Sequence, residues 1–329
     1  MSAGRLVLLA LVVVSMPAEA SPLRRDPAIV FVREDPRARE INDAVDLWTV
    51  RASGGRARPL VVGTGWEQAP ASSPDGALVA FDRSIFDPDV PEALLSVELW
   101  TIRVRTRARR NVAGERGGSS PAWSPDGRRL AFVRGDGVYV VRRDGTRMIR
   151  VARRDDPGTP AWSPDGRRLA FVLPGELRLV DAGGRRERVL ARGAGSGTSA
   201  SWSPDGRRIA YSGRRGVSVV PSRGGRSRLV GRDFVAPAWS PDGRAIAAVR
   251  EGTPREAGLF LLDPRTGKCR RLTRGTDTQP AWSPDGRRLA FRRGVLIGDV
   301  YVVGVTGGRP RNVTGTPRLD EREPAWRPT

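Results

Sequence analysis

Few residue types in this chain could do chemistry. Its 329 residues include no histidine and a single cysteine, Cys269. Ser-His-Asp and Cys-His catalysis are therefore excluded, as are His-ligated zinc, haem and non-haem iron. Cys269 alone closes no intramolecular disulfide and builds no thiolate cluster. Carboxylates, arginines and aromatic rings remain. Two acidic stretches stand out. Residues 33–46 hold Glu34, Asp35, Glu40, Asp43 and Asp46, and residues 82–97 hold Asp82, Asp87, Asp89 and Glu92 beside apolar Ile85, Phe86, Val90, Leu94 and Leu95. Apolar anchors next to charge suit protein docking, with Asp35, Glu40, Asp43, Phe86, Asp87, Asp89, Glu92 and Leu94 as candidate contacts. A plain insertion without a partner is the competing reading. Calcium at Asp87, Asp89 and Glu92 is conceivable from the oxygen ligands, although the spacing is not that of an EF-hand loop. No other cofactor is expected.

Positive charge is the dominant compositional feature: 57 basic against 36 acidic residues, net +21. Lys268 is the only lysine, so nearly all of this charge is guanidinium. Such an excess invites a nucleic-acid reading, which depends on where the charge sits. At the N-terminus a short positive start, the apolar run Leu6 to Met16 and Ala18-Glu19-Ala20 read as a secretory signal peptide over residues 1–20, with an uncleaved anchor as the alternative. The run is short for a bilayer span. A soluble, monomeric domain over residues 21–329, secreted or in the periplasm or cell envelope, is expected, and nucleic acid is not an expected partner there.

Repeats organise the remainder. Ser-Pro-Asp-Gly begins at Ser73, Ser124, Ser163, Ser203, Ser240 and Ser283, and a degenerate copy, Pro324-Ala-Trp-Arg-Pro328, ends the chain. In this motif Pro presets φ for a type I turn, Asp suits the next position, and Gly takes the position requiring positive φ. Each turn joins a short Trp-containing strand a to a strand b such as Arg129-Leu-Ala-Phe-Val133. Seven strands c follow, from Leu47-Trp-Thr-Val50 to Val300-Tyr-Val-Val303, and seven strands d lie around Leu60, Val112, Ile149, Val189, Leu229, Leu272 and Val313. Four short strands per unit with no helical period predict an all-β propeller of four-stranded blades. The chain begins with b, c and d and ends with an isolated a, so the C-terminal strand should complete the N-terminal blade. Seven blades result, with an open six-bladed disc as the alternative.

The pattern Pro121-Ala-Trp-Ser-Pro-Asp-Gly-Arg-Arg-Leu-Ala-Phe132 resembles the WD40-like (PD40) propeller repeat of TolB-type periplasmic proteins, over roughly residues 26 to 328. The resemblance implies the propeller fold. TolB itself carries an α/β domain before six blades, whereas strands here begin within ten residues of the expected cleavage site. Similar repeats precede the hydrolase domain of prolyl-oligopeptidase-like peptidases, but this chain has no Gly-x-Ser-x-Gly and no His.

Repetition assigns several residues to architecture. Trp123, Trp162, Trp202, Trp239, Trp282 and Trp326 recur at one position, as rings between packed blades would. Asp126, Gly127, Asp165, Gly166 and their equivalents have a sufficient role in the turn. The c–d hairpins and outermost strands carry more net positive charge than the whole chain, with Arg103, Arg105 and Arg107 read as one face of an edge strand. Protection of exposed edges accounts for this rim, and binding of an anionic envelope polymer is its functional alternative. No carboxylate cluster is apparent in the strand-a segments. The expected protein is thus a non-catalytic binding or scaffolding module. An acid- or cation-dependent hydrolase or lyase at the channel mouth is the alternative.

Overall fold

The computed structural model describes residues 26–35, 45–87, 89–90, 93–155, 157–195, 200–253, 255–316 and 318–328. The expected leader, residues 1–20, lies outside them. The described residues form seven four-stranded antiparallel sheets and no helix. The strand Asp320–Arg327 pairs with Ala28–Glu34, setting Trp326 opposite Ile29. With Val45–Arg51 and Arg58–Val61 it completes blade 1. The Trp-containing strands touch one another in an unbroken ring, which places them innermost. The propeller therefore has seven blades, closed by its own C-terminal strand, and the six-bladed alternative is set aside.

The apolar core is divided among the seven joints between successive blades. The closing joint, for example, packs Ile29, Phe31, Val50 and Trp326 of blade 1 against Ala290, Val300, Val302 and Val313 of blade 7. Strand b is buried on both faces because each blade has a neighbour on each side. Hence Ile29 to Val32 are all fully buried, and the segment reads as a continuous apolar run. Phe31, Phe81, Phe132, Phe171 and Phe291 occupy one repeat position there, each fully buried, each contributing on the order of 2–3 kcal/mol.

Polar residues of the repeat align these layers. In every Ser-Pro-Asp-Gly turn the Ser hydroxyl donates to the Asp carboxylate at 2.5–2.6 Å. The same carboxylate accepts a backbone N–H two residues on at 3.0 Å, as Asp126 does from Arg128. The Ser73 hydroxyl and the Ala77 N–H hold the Asp75 carboxyl below its usual range. Gly76 shows why glycine is required: at φ 64°, a Cβ there would lie 2.0 Å from the Pro328 carbonyl oxygen.

Specific contacts also pin the joints. The indole N–H of Trp123, Trp162, Trp202, Trp282 and Trp326 donates to the carbonyl of Ala71, Ala122, Ala161, Ala238 and Ala281, respectively, in the preceding blade, at 2.8–3.1 Å. The preceding blade lays an arginine over the ring: Arg129 on Trp162, Arg168 on Trp202, Arg208 on Trp239 and Arg288 on Trp326, at 4.7–5.2 Å. At the rim, Arg110, Arg188, Arg228, Arg270 and Arg311 reach the backbone carbonyls of Asp144, Ser222, Pro264, Val305 and Ser53 in the next blade's c–d hairpin. Much of the outer arginine thus joins blades, beyond any role in shielding edges. Arg103, Arg105 and Arg107 do not share a strand face. Arg103 ends strand c, and the turn that follows brings Arg107, at φ 62°, back to donate to the Leu60 carbonyl at 2.7 Å.

Trp326 serves the joint on which ring closure depends. Trp326→Phe keeps most of the ring and loses the bond to Ala281, with an expected cost of about 1 kcal/mol. Trp326→Ala should cost about 3–5 kcal/mol and release hydrogen-exchange protection first in Ala28–Glu34. Urea unfolding with exchange mass spectrometry measures both.

Candidate functional site

Antiparallel connectivity gives the disc two distinct faces. The a–b turns and c–d hairpins share one; the b–c connections and the starts of the inner strands share the other. The described residues of the two acidic stretches lie toward this second face. Asp35 is exposed directly after Ala28–Glu34. Glu40, Asp43 and Glu92 lie outside the described residues. The second stretch is not a sixteen-residue loop, because strands Leu78–Phe86 and Leu94–Arg103 extend through most of it as a long hairpin. Alternating Ser84, Ser96 and Val97 with apolar neighbours permits this pairing, whereas acidic composition alone reads as a loop. Phe86 is half-buried against Trp66, ring centroids 4.7 Å apart. Asp87 accepts the Asp89 N–H at 2.9 Å in the turn, and Asp89 and Leu94 are exposed.

Several of the acids have structural partners. Glu34 pairs with Arg322. Asp82 is buried in strand b and accepts the Ser120 N–H of blade 3 at 3.0 Å. Burial, together with nearby Glu323 and against the Ser120 bond, pushes its carboxyl up to about 6. Ser120 is one of five inner-strand residues, with Ala69, Ala236, Gln279 and Glu323, that precede proline yet adopt φ 49–55°. At four of these kinks the N–H meets a side chain of the preceding blade: Ala69 to Glu323, Ser120 to Asp82, Ala236 to Ser212, and Glu323 to Gln279, at 2.7–3.1 Å. These acceptors stabilise a backbone geometry that residues before proline ordinarily avoid.

Carboxylates do occur in the inner strands, upstream of the segments read as strand a from the sequence. The strands start upstream of the Pro-Ala-Trp core, at Trp66, Asp277 and Asp320. One register position carries Asp277, Glu321 and Glu67 in consecutive blades 7, 1 and 2, directly opposite Arg293, Arg33 and Arg83. All three acids are buried. Arg293 holds Asp277 at 2.6 and 2.8 Å. Arg33 holds Glu321 at 2.9 and 2.6 Å, with Thr316 adding a bond at 2.8 Å. Glu67 differs, since Arg83 Nε stands 3.5 Å away and neither Glu67 oxygen has a hydrogen-bond donor. Burial, reinforced by Asp46 and opposed by Arg83 and Arg109, pushes its carboxyl up to about 8. Among the described residues no three His, Cys, Asp or Glu side chains converge to hold a metal ion.

The feature missed in the sequence is the apolar connection of blade 7. Val295 (75% exposed), Leu296 (88%) and Ile297 occupy the b–c connection of blade 7, and Val90, Leu94 and Leu95 (60%) the tip of the long blade 2 hairpin. Exposed Val62, where blade 1 passes to blade 2, adds to this face. Only Ile149 and Leu229 complete the set of exposed large apolar residues among those described. Three branched apolar residues between Gly294 and Gly298, in a connection that should be polar, were the available signal.

Residues 120–230 match the TolB beta propeller domain family. Similar solved structures include TolB from Acinetobacter baumannii, at 19% identity, covering 92% of this chain and 67% of that one, with TM-score 0.62. They also include an oligogalacturonate lyase in complex with manganese, at 16% identity over 87% and 84% of the chains, TM-score 0.63. A third is a nidogen/laminin complex, at 11% identity over 74% and 91%, TM-score 0.53. At these identities the likeness shows the fold alone. No curated protein matches the chain. Among the described residues no helix is long and apolar enough to cross a membrane.

Glu67 generates a prediction with a definite sign. Its folded pKa, about 8, lies above the ordinary carboxyl value, so its contribution is fully present below about pH 4.5 and declines as pH rises toward 8. Unfolding free energy should fall across that window, and Glu67→Gln should remove on the order of 3 kcal/mol of the fall. Urea titrations at pH 5, 6.5 and 8 measure it; parallel profiles would mean that Glu67 is ionised in the folded protein.

Proposed function

We propose that the protein is an exported, non-catalytic propeller of the cell envelope that docks a protein partner on the b–c face of blades 7, 1 and 2. The observation that carries this reading is the concentration of exposed apolar side chains there: Val90, Leu94, Leu95, Val295, Leu296 and Ile297 flank blade 1 on both sides. Clustered apolar exposure on one face of an otherwise charged surface is characteristic of interaction sites. The partner should present apolar anchors, with basic groups complementing Asp35, Asp87 and Asp89. A nidogen/laminin complex among the structural neighbours gives a parallel for a propeller fold matched in a protein–protein assembly. Export rests on the leader pattern of residues 1–20.

The non-catalytic part of the reading is supported by the engagement of the inner-strand acids. Asp82 and Glu323 accept backbone N–H groups, and Asp277 and Glu321 are tied to arginines. Glu67 is fully buried. A general acid or base needs reach to a substrate proton; Asp82 and Glu323 are committed to the adjacent blade, and Asp277 and Glu321 to an arginine of their own blade.

Photo-crosslinking side chains placed at Leu95 and Leu296 should capture the same partner in envelope extracts. A probe at Ile149, on the outer strand of blade 3, should not. Leu296→Asp should weaken capture by at least about tenfold, as loss of a central anchor does. Equal capture from all three positions would contradict the assignment.

A further inference from the structure

The start of strand b departs from the repeat in three blades, with Ala28 in blade 1, Leu78 in blade 2 and Ala245 in blade 6. Four blades place Arg129, Arg168, Arg208 or Arg288 there, over the tryptophan of the next blade. Arg129 also reaches the Gly166 carbonyl in the next blade's turn at 2.8 Å. Blade 2 instead has Leu78, in the sequence Ser-Pro-Asp-Gly-Ala77-Leu78. Leu78 packs into the apolar layer with Trp123 and Val112, and its side chain is too short to bridge to the following turn.

A cavity of about 260 Å³ opens at this joint, lined by Leu78, Thr101, Arg103, Arg110, Arg143 and Asp144 among others. Its position on blade 2 follows from the register. Arg103 lies opposite Leu78 and Arg110 opposite Thr101, and cross-strand partners project to the same side of a sheet. Leu78 faces blade 3, so these side chains do too. Arg143 enters from the blade 3 hairpin, its N–H held by the Arg128 carbonyl at 2.9 Å. Thr101 is buried. In blade 4 the equivalent position sets Arg168 opposite Asp181. Among the described residues none of Arg103, Arg110 and Arg143 forms a close carboxylate ion pair; Arg110 donates to the Asp144 carbonyl at 3.3 Å, and the charge of Arg143 helps to lower the Asp75 carboxyl. Asp144 is turned toward its own loop, accepting from the Thr146 hydroxyl and N–H at 2.7 and 3.0 Å.

We infer that the joint between blades 2 and 3, where Leu78 stands in place of a stacked arginine, is a binding pocket for a compact oxyanion, a phosphate group. Three guanidinium groups from two blades supply planar donor forks suited to phosphate oxygens. The cavity exceeds by several times the roughly 30 Å³ share of one water, leaving room for a small group esterified to the phosphate. The pocket lies on the a–b face, opposite the docking face, and is independent of it.

The test is titration calorimetry of the mature protein with inorganic phosphate and with glycerol phosphate, against chloride at matched ionic strength. Saturable, one-to-one binding is expected for a phosphate ligand and not for chloride. Arg143→Gln should weaken it about tenfold or more. Leu78→Arg restores the repeat, fills the cavity and adds a positive charge, and should abolish binding while preserving or raising thermal stability. Tighter binding of glycerol phosphate assigns the pocket to a phosphate ester, and tighter binding of inorganic phosphate assigns it to the free ion. Absence of saturable binding, or equal or stronger binding in Leu78→Arg, would overturn the proposal, because diffuse attraction to arginine grows with added charge.

Discussion

A guanidinium laid across the seam between two blades is the contact on which the disc depends. A four-stranded blade cannot bury both faces of its strand b without neighbours, so the fold exists only as a closed set of joints. Apolar layers supply most of the burial at each joint, but they are non-directional. The indole N–H donated backward and the arginine stacked forward fix how one blade sits on the next. A second arginine at the rim ties the outer strand to the next hairpin. Both uses need a flat, multiply donating cation, which an ammonium group does not provide. The near-absence of lysine therefore fits the mechanics of the ring.

The departures from this pattern cluster in one sector. Blades 7, 1 and 2 bury an acid against an arginine at the same register position, and blades 7 and 2 carry the exposed apolar connections. Blade 2 has Ser72 where the other six blades have the motif tryptophan, and Leu78 where four blades offer an arginine. Relaxing the structural repeat in adjacent blades concentrates chemically distinctive surface there. One face gains apolar anchors, and the other gains three guanidinium groups around a cavity.

The architecture was readable because each repeat uses strong local signals. Ser-Pro-Asp-Gly dictates its own turn, and the leftover C-terminal strand could be matched to the blade lacking one. The site was less readable. Asp82 looks like a loop acid until its register opposite Gln68 and Leu99 places it in a buried strand. Glu67, Asp277 and Glu321 lie upstream of the motif that marks the inner strand, so nothing local reveals that the strand has begun. Val295-Leu296-Ile297 resembles a strand by composition, and only the pairing of Arg288–Arg293 with Asp299–Gly304 leaves it outside as an exposed connection.

The central claim is that arginine geometry, rather than positive charge, holds successive blades in register. Replacing Arg129, Arg168, Arg208 and Arg288 together by lysine preserves every charge and tests it most directly. At about 1 kcal/mol lost per stacked joint, the thermal midpoint should fall by on the order of 10 °C at unchanged net charge. A midpoint indistinguishable from that of the parent protein would contradict the account.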